Sequence, residues 1–240
     1  MNDTQSQKST VEEIRARFDN DVERFSNLET GQSATLDARL VLDLITRVAA
    51  AQVPGDAKVL DIGCGAGNYT LRLLQQKPGC DCTLIDLSQP MLTRAVERLE
   101  NSSASHIETH CGDVRDVPLP SETFDIVMAA AVLHHLRDDN DWEQTFRKVL
   151  DAMKPGGMFL VSDLVEQEVA AVREVQWERY GDYLRELKDD NYRQAVFDYI
   201  EKEDTPRSLA YQLNLCREVG FRQVDVLHAN TCFASYCAVK

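Results

Sequence analysis

The chain has 240 residues, with 40 acidic side chains against 26 basic ones and a formal net charge of −14, a balance that disfavours a nucleic-acid or anionic-membrane surface. No apolar run reaches the roughly 20 residues of a membrane helix, and the polar opening MNDTQSQKST has no signal-peptide core, so a cytoplasmic protein is expected. The seven cysteines lack zinc-finger spacing, and Cys80 and Cys82 are too close for a CxxC site, which predicts reduced, mostly buried thiols. The length suits one α/β domain with elaborations.

Residues 1–10 read as a polar tail. Val11, Ile14, Phe18, Val22 and Phe25 recur at spacings of three and four, which predicts one amphipathic helix; Leu36, Leu40, Leu44 and Val48 predict a second over 35–51, stopped by Pro54 and Gly55. A strand over 58–61 leads through a glycine cluster into a helix that ends at Pro78-Gly79. The strand 82–87 is followed by Ser88-Gln89-Pro90, an N-cap with proline in the first turn, and a helix through Met91, Leu92, Ala95 and Leu99.

Further strands are expected at HIETHCGD and at 124–130, then a helix over 142–153, a turn at Lys154-Pro155-Gly156-Gly157 and a strand over 158–162. Alternating strands and helices predict a parallel, doubly wound sheet. An insert over 164–204 carries 12 acidic and 6 basic residues and reads as two helices. A helix over 206–219, with Thr205 as cap and Gly220 past its end, precedes two strand-like runs joined at His228-Ala229-Asn230. With no room for a crossover helix, that last pair must be an antiparallel hairpin.

The stretch KVLDIGCGAGNYT places Gly63, Gly65 and Gly67 at alternate positions directly after a strand. Such a cluster marks a backbone that turns sharply or meets a ligand closely. A dinucleotide fold would use G-x-G-x-x-G, but Asn68 stands where the third glycine belongs, and no Lys-Ser or Lys-Thr follows to make a phosphate loop. Asp61 at the turn would repel a pyrophosphate and welcome a cation.

DIGCGAGNYT resembles the first motif of the class I S-adenosylmethionine-dependent methyltransferases. Asp86, 25 positions after Asp61, then Cys111-Gly112-Asp113-Val114, FDIVMAAAVLHHL, LDAMKPGG and the terminal hairpin resemble that family's later motifs, in order. The resemblance implies a seven-stranded, mostly parallel Rossmann-like sheet with an antiparallel C-terminal hairpin, and S-adenosyl-L-methionine as cofactor with S-adenosyl-L-homocysteine as product. It implies that Gly63, Cys64, Gly65 and Gly67 bring backbone close to the methionine part while Asp61 helps hold its ammonium. Asp86 would accept the ribose hydroxyls, with Leu87 and Met91 beside it; Asp113 and Val114 would meet the adenine, and Ala130 would close the fourth strand's end. On this reading residues 1–52 form a helical cap and 53–240 the cofactor-binding domain.

Methyl transfer needs a base only when the acceptor is protonated, and no catalytic residue is assigned. His134 and His135 read as helix-entry packing or as a base, and no metal site of plausible spacing is visible. A small-molecule acceptor is expected under the insert, where Trp177, Tyr180 and Tyr183 are available to line a pocket; the same insert is equally suited to packing on the sheet or to a homodimer contact. FDNDVERF, the helical insert and the ending GFRQVDVLHANTCFASYCAVK also resemble the carboxy-S-adenosylmethionine synthases of tRNA wobble-uridine modification. Those enzymes hold a carboxylated cofactor with an added cation; Arg173, Arg179 and Arg207 are available for that role, and none is assigned to it. A non-catalytic cofactor-binding module is the remaining alternative.

Overall fold

The computed structural model describes residues 8–27, 32–53 and 56–240, so the stop signal at Pro54-Gly55 and most of the polar tail lie outside the described residues. Strands β1 (Lys58–Ile62), β2 (Asp81–Asp86), β3 (His106–Cys111), β4 (Phe124–Ala130), β5 (Met153–Leu164), β6 (Gln223–Asn230) and β7 (Phe233–Val239) form one sheet in the order β3-β2-β1-β4-β5-β7-β6. The first five run parallel, and β7 lies antiparallel between β5 and β6. The fold expected from the sequence is the one observed.

The inner strands are largely apolar on both faces because helices cover both, whereas the edge strands β3 and β6 are polar and more exposed. Leu60, Ile62, Val127, Phe159 and Tyr236 point into one core, shared with α6 (Asp139–Ala152) and α9 (Leu209–Val219). Val59, Leu84, Met128 and Leu160 point into the other, shared with α3 (Ala38–Gln52), α4 (Asn68–Gln76) and α5 (Gln89–Leu99). By the same alternation Asp61 faces α4. The insert forms α7 (Ala170–Leu187) and α8 (Asp190–Glu203), and a third, smaller core joins Tyr180 and Leu184 to Leu164 and Cys232.

Several boundaries differ from the sequence reading. The predicted first helix breaks at Asp21 into α1 (Val11–Asn20) and α2 (Val22–Ser26). A reciprocal capping box between Thr10 and Glu13 starts α1. Helix α9 begins at Leu209 rather than 206, because the Ser208 hydroxyl accepts the Tyr211 N–H at 3.0 Å. The Thr205 N–H is meanwhile committed to the His134 carbonyl at 2.7 Å.

The turn at 154–157 lies within β5, as an interruption of its pairing with β4 in which Gly156 adopts φ +80. The final hairpin turns at Thr231 and Cys232, not at 228–230. His228 and Asn230 both bond Asp37 at 2.8 Å, which keeps them in β6 and passes the reversal to Thr231, at φ +51. Among the described residues, no helix is long and apolar enough to cross a membrane. Of the cysteines only Cys111 is exposed.

Candidate functional site

Three glycines follow β1 for three different reasons. All adopt left-handed backbone, φ +64 at Gly63, +51 at Gly65 and +77 at Gly67, where a side chain costs energy. At Gly63 an added Cβ would lie 2.6 Å from Val132, so this glycine lets the turn pack against the loop after β4. At Gly67, the N-cap of α4, a Cβ would press on Ala95 of α5 at 3.2 Å. At Gly65 it would meet nothing within 4 Å among the described residues. That glycine faces open space, as a backbone reserved for a ligand should.

Asp86 ends β2 beside this turn. Its Oδ2 accepts the Gly65 N–H at 2.8 Å, and its Oδ1 accepts the Ser88 N–H at 2.9 Å. A carboxylate has about four lone-pair positions, so two remain for a pair of hydroxyls. Burial pushes the Asp86 pKa up to about 6, against the pull of those two N–H groups. Ser88 in turn caps α5 and donates its hydroxyl to Asp19 of α1 at 2.5 Å, which sets the first helix over the end of β2.

Asp61 is at the floor of the turn and not at its mouth: it is 1% exposed, and its Oδ2 accepts the Thr70 hydroxyl at 2.6 Å. Burial raises its pKa to about 7 in spite of that bond, and Asp86 adds to the rise. Two buried carboxyls that resist ionisation beside an open glycine backbone suit a cationic ligand. Cys64 is buried, its N–H bonded to the Ile85 carbonyl, and burial holds its thiol well above the ordinary range. It is a packed side chain, not a nucleophile.

Asp113 lines a cleft of about 480 Å³ with Glu12, Arg15, Cys111 and Arg115. Arg115 holds its carboxylate in a fork, Nε to Oδ1 at 3.0 Å and a terminal nitrogen to Oδ2 at 2.6 Å. Burial opposes ionisation here, yet the Arg115 bonds keep the Asp113 pKa below its ordinary value. Met91 is buried at the start of α5 and Val114 at the margin of the first core, its carbonyl accepting from Lys148 at 2.8 Å. Leu87 and Ala130 are half-buried at the ends of β2 and β4. The predicted cofactor residues thus gather at the carboxyl ends of β1, β2, β3 and β4, where an open α/β sheet binds ligands.

Trp177, Tyr180 and Tyr183 belong to the third core. Tyr180 is 1% exposed, packs its ring 5.2 Å from that of Phe233 and donates to the Ala34 carbonyl at 2.9 Å. Tyr183 donates to the Ser33 carbonyl at 2.6 Å, and the Trp177 ring packs against Phe197. Tyr180 thus holds the insert to β7, Tyr183 holds it to the segment before α3, and Trp177 packs within it. Arg173, Arg179 and Arg207 engage Glu166, Gln176 and Asp139. Two residues that the sequence reading missed lie at this end of the sheet. Asp163 bonds the His134 ring Nδ1, and Asp204 approaches both His134 and His135. Only the fold brings Asp204 there, from the end of the insert.

Residues 59–157 match a family model described as a methyltransferase domain. A curated relative, the carboxy-S-adenosyl-L-methionine synthase of Shewanella sp. (strain ANA-3), is 29% identical over 208 residues, covering 83% of each chain. Among solved structures, the cyclase SpnF superposes with a TM-score of 0.67 at 16% identity, covering 98% of this chain and 97% of that one. An S-adenosylmethionine-dependent methyltransferase of Methanosarcina mazei superposes at 0.57 with 17% identity, covering 80% and 96%. The domain match bears out the methyltransferase resemblance, and with it the enzyme class and the cofactor class that the resemblance implied. The structural neighbours bear out the fold alone, and a cyclase among them shows that this fold does not fix the reaction.

Proposed function

We propose that this chain, which carries a class I methyltransferase domain, transfers a methyl group from S-adenosyl-L-methionine to a small-molecule acceptor. The observation that supports the reading best is the unit formed by Gly65 and Asp86: an open left-handed glycine whose N–H is fixed by a buried acid with accepting positions to spare. When bound, the cofactor supplies a methyl on a sulfonium, and displacement by the acceptor's lone pair breaks the carbon–sulfur bond and leaves a neutral thioether. No leaving-group acid is therefore required, and the protein's task is alignment and exclusion of water.

The residues divide that task. The turn at 63–67 admits the methionine part, and Asp61 beneath it balances the ammonium. Asp86 takes the ribose hydroxyls. The cleft beside Asp113 suits the adenine, whose amino group can donate to a carboxylate that Arg115 keeps ionised. Helices α1 and α2, within residues 1–52, act as a cap, pinned by the Asp19–Ser88 contact, over a cofactor-binding domain of residues 53–240.

A second reading is a carboxy-S-adenosylmethionine synthase, favoured by the name of the curated relative and its 83% coverage. Against it, Arg173 and Arg179 of the insert and Arg207 beyond it are committed to Glu166, Gln176 and Asp139. The experiment is calorimetry of the full chain with S-adenosylhomocysteine, NAD and ATP, with mass spectrometry of any co-purifying ligand. Tight S-adenosylhomocysteine binding with weak NAD binding is expected. Comparable NAD affinity would overturn the cofactor assignment, and a co-purified carboxylated cofactor would establish the second reading instead of the first.

A further inference from the structure

At the carboxyl ends of β4 and β5, beside the cofactor turn, the chain assembles a group that no motif announces. After β4 a single 3-10 turn, Leu133–His135, presents two adjacent histidines. Asp204, the residue that ends α8, returns across 69 residues of sequence to face them. Asp204 Oδ1 lies 3.3 Å from His135 Nδ1 and 3.7 Å from His134 Nε2, and one ligand atom of each residue lies within 4.8 Å of the others. Asp204 is 3% exposed and His134 7%.

The hydrogen bonding of this group is incomplete. Among the described residues, Asp204 Oδ1 and both ring nitrogens of His135 are buried without a hydrogen-bond partner. A buried polar atom without a partner costs roughly 1–3 kcal/mol, and two of these three, Asp204 Oδ1 and His135 Nδ1, face each other at 3.3 Å. The contacts around them hold them in place: the Thr205 N–H bonds the His134 carbonyl, and the Phe18 ring packs edge-on against His135 at 6.0 Å.

We infer that His134, His135 and Asp204 bind a divalent transition-metal ion, with zinc the best match to two imidazole nitrogens and one carboxylate oxygen. Ligands about 2.1 Å from a tetrahedral ion lie about 3.4 Å from one another, which is close to the two separations observed. The outer contacts also fit. His134 Nδ1 is bonded to Asp163, so Nε2 is the nitrogen left to the ion, and a carboxylate behind a ligating histidine is the usual support of such a ligand.

The charges balance too. Asp163 and Asp204 are both buried, and a dication would neutralise the pair. The nearby cations are bonded to other groups than the two carboxylates: Arg17 to Glu203 at 3.1 Å, Arg137 to the carbonyls of Glu203 and Ser9, and Lys8 to the carbonyls of Glu201 and Asp204. Three protein ligands leave a tetrahedral ion one position for water or for an oxygen or nitrogen of a substrate. The inference does not depend on the identity of the acceptor.

The test uses the full chain, stripped with a chelator, dialysed and titrated with zinc chloride by calorimetry, with elemental analysis of the recovered protein. One zinc per chain at micromolar affinity or tighter is expected. His135→Ala should weaken it at least a hundredfold, and Asp163→Asn about tenfold to a hundredfold. Cys111→Ser and His110→Ala, at exposed or half-exposed side chains outside the group, should leave it unchanged.

Should His135→Ala fail to fold, the cobalt(II) spectrum of the wild type decides. Intense visible bands of a four- or five-coordinate ion without thiolate charge transfer support the site. A pale six-coordinate spectrum or thiolate bands overturn it. Zinc binding that is absent, or equal in wild type and a folded His135→Ala variant, would overturn it as well, leaving His134 as an imidazolium between two carboxylates.

Discussion

Asp86 Oδ2 accepts the Gly65 N–H at 2.8 Å, so the acid that ends β2 and the turn that follows β1 form one unit. Replacing Asp86 with Ala removes a charged acceptor and frees the turn at once. Hydrogen bonds to a charged group are worth about 1.5–3 kcal/mol, so S-adenosylhomocysteine affinity should fall roughly tenfold to a hundredfold. Calorimetry measures it directly. Affinity within twofold of wild type would reduce Asp86 to the support of α5.

Two alanine substitutions separate the structural glycine from the ligand-facing one. Both Gly63→Ala and Gly65→Ala impose left-handed backbone on a side chain, at roughly 1–2 kcal/mol. Only Gly63→Ala adds a collision, with Val132 at 2.6 Å. The melting temperature should therefore fall further for Gly63→Ala. Gly65→Ala should lose S-adenosylhomocysteine affinity in a protein that melts closer to wild type. The reverse order would contradict the assignment of roles.

Asp61 makes cofactor binding pH-dependent. Its carboxyl, ordinarily near 3.8, titrates near 7 in the unliganded chain because it is buried. A folded value above the unfolded one means that the unliganded protein loses stability as pH rises from about 4 to about 7. A bound ammonium favours the carboxylate, so binding below about pH 7 should release a proton and affinity should climb with pH until that point. Calorimetry in buffers of different ionisation enthalpy counts the proton. Asp61→Asn should remove the rise between about pH 6 and 7 and leave the part due to Asp86, whose pKa is raised to about 6; an unchanged profile would place the titrating group elsewhere.

The insert's aromatic residues should behave as core. Tyr180→Ala empties a fully buried site and should cost about 3–5 kcal/mol, as large aromatic truncations do. Tyr180→Phe removes only the hydroxyl bond to the Ala34 carbonyl and should cost about 1 kcal/mol. Denaturant titration of both variants checks the difference. A Tyr180→Ala protein as stable as wild type would restore a pocket-lining role.

The sheet and the cofactor end of the molecule were legible because their signals are local. A strand, alternate glycines and an acid 25 positions on all lie within one winding of the chain. Helix caps were legible where one hydroxyl decided, as at Ser88, and not where two candidates competed, as at Thr205 and Ser208. The role of tyrosines 180 and 183 stayed open between pocket and packing because helical spacing shows which side chains share a face, not what that face meets. Asp204 was invisible for a related reason. A carboxylate in an acidic insert reads as a solvated surface until the fold carries it under α1, and Asp37, which moves the last turn, acts over a similar distance in sequence.

Helix α1 is secured to α5 by the Asp19–Ser88 bond and, by several further polar bonds, to the distant end of α8. Arg17 pairs with Glu203 across 186 residues, Ser9 bonds the Lys202 carbonyl, and Arg137 reaches both Ser9 and Glu203. During synthesis the parallel strands β1 to β5 can therefore pair while the first helix still lacks most of its anchors, and it gains them only after residue 203 has left the ribosome. Domains generally fold from the N-terminal side as they emerge; here the first element made is among the last to dock. The nascent chain thus passes through a stage with the cofactor end of the sheet assembled but not yet covered.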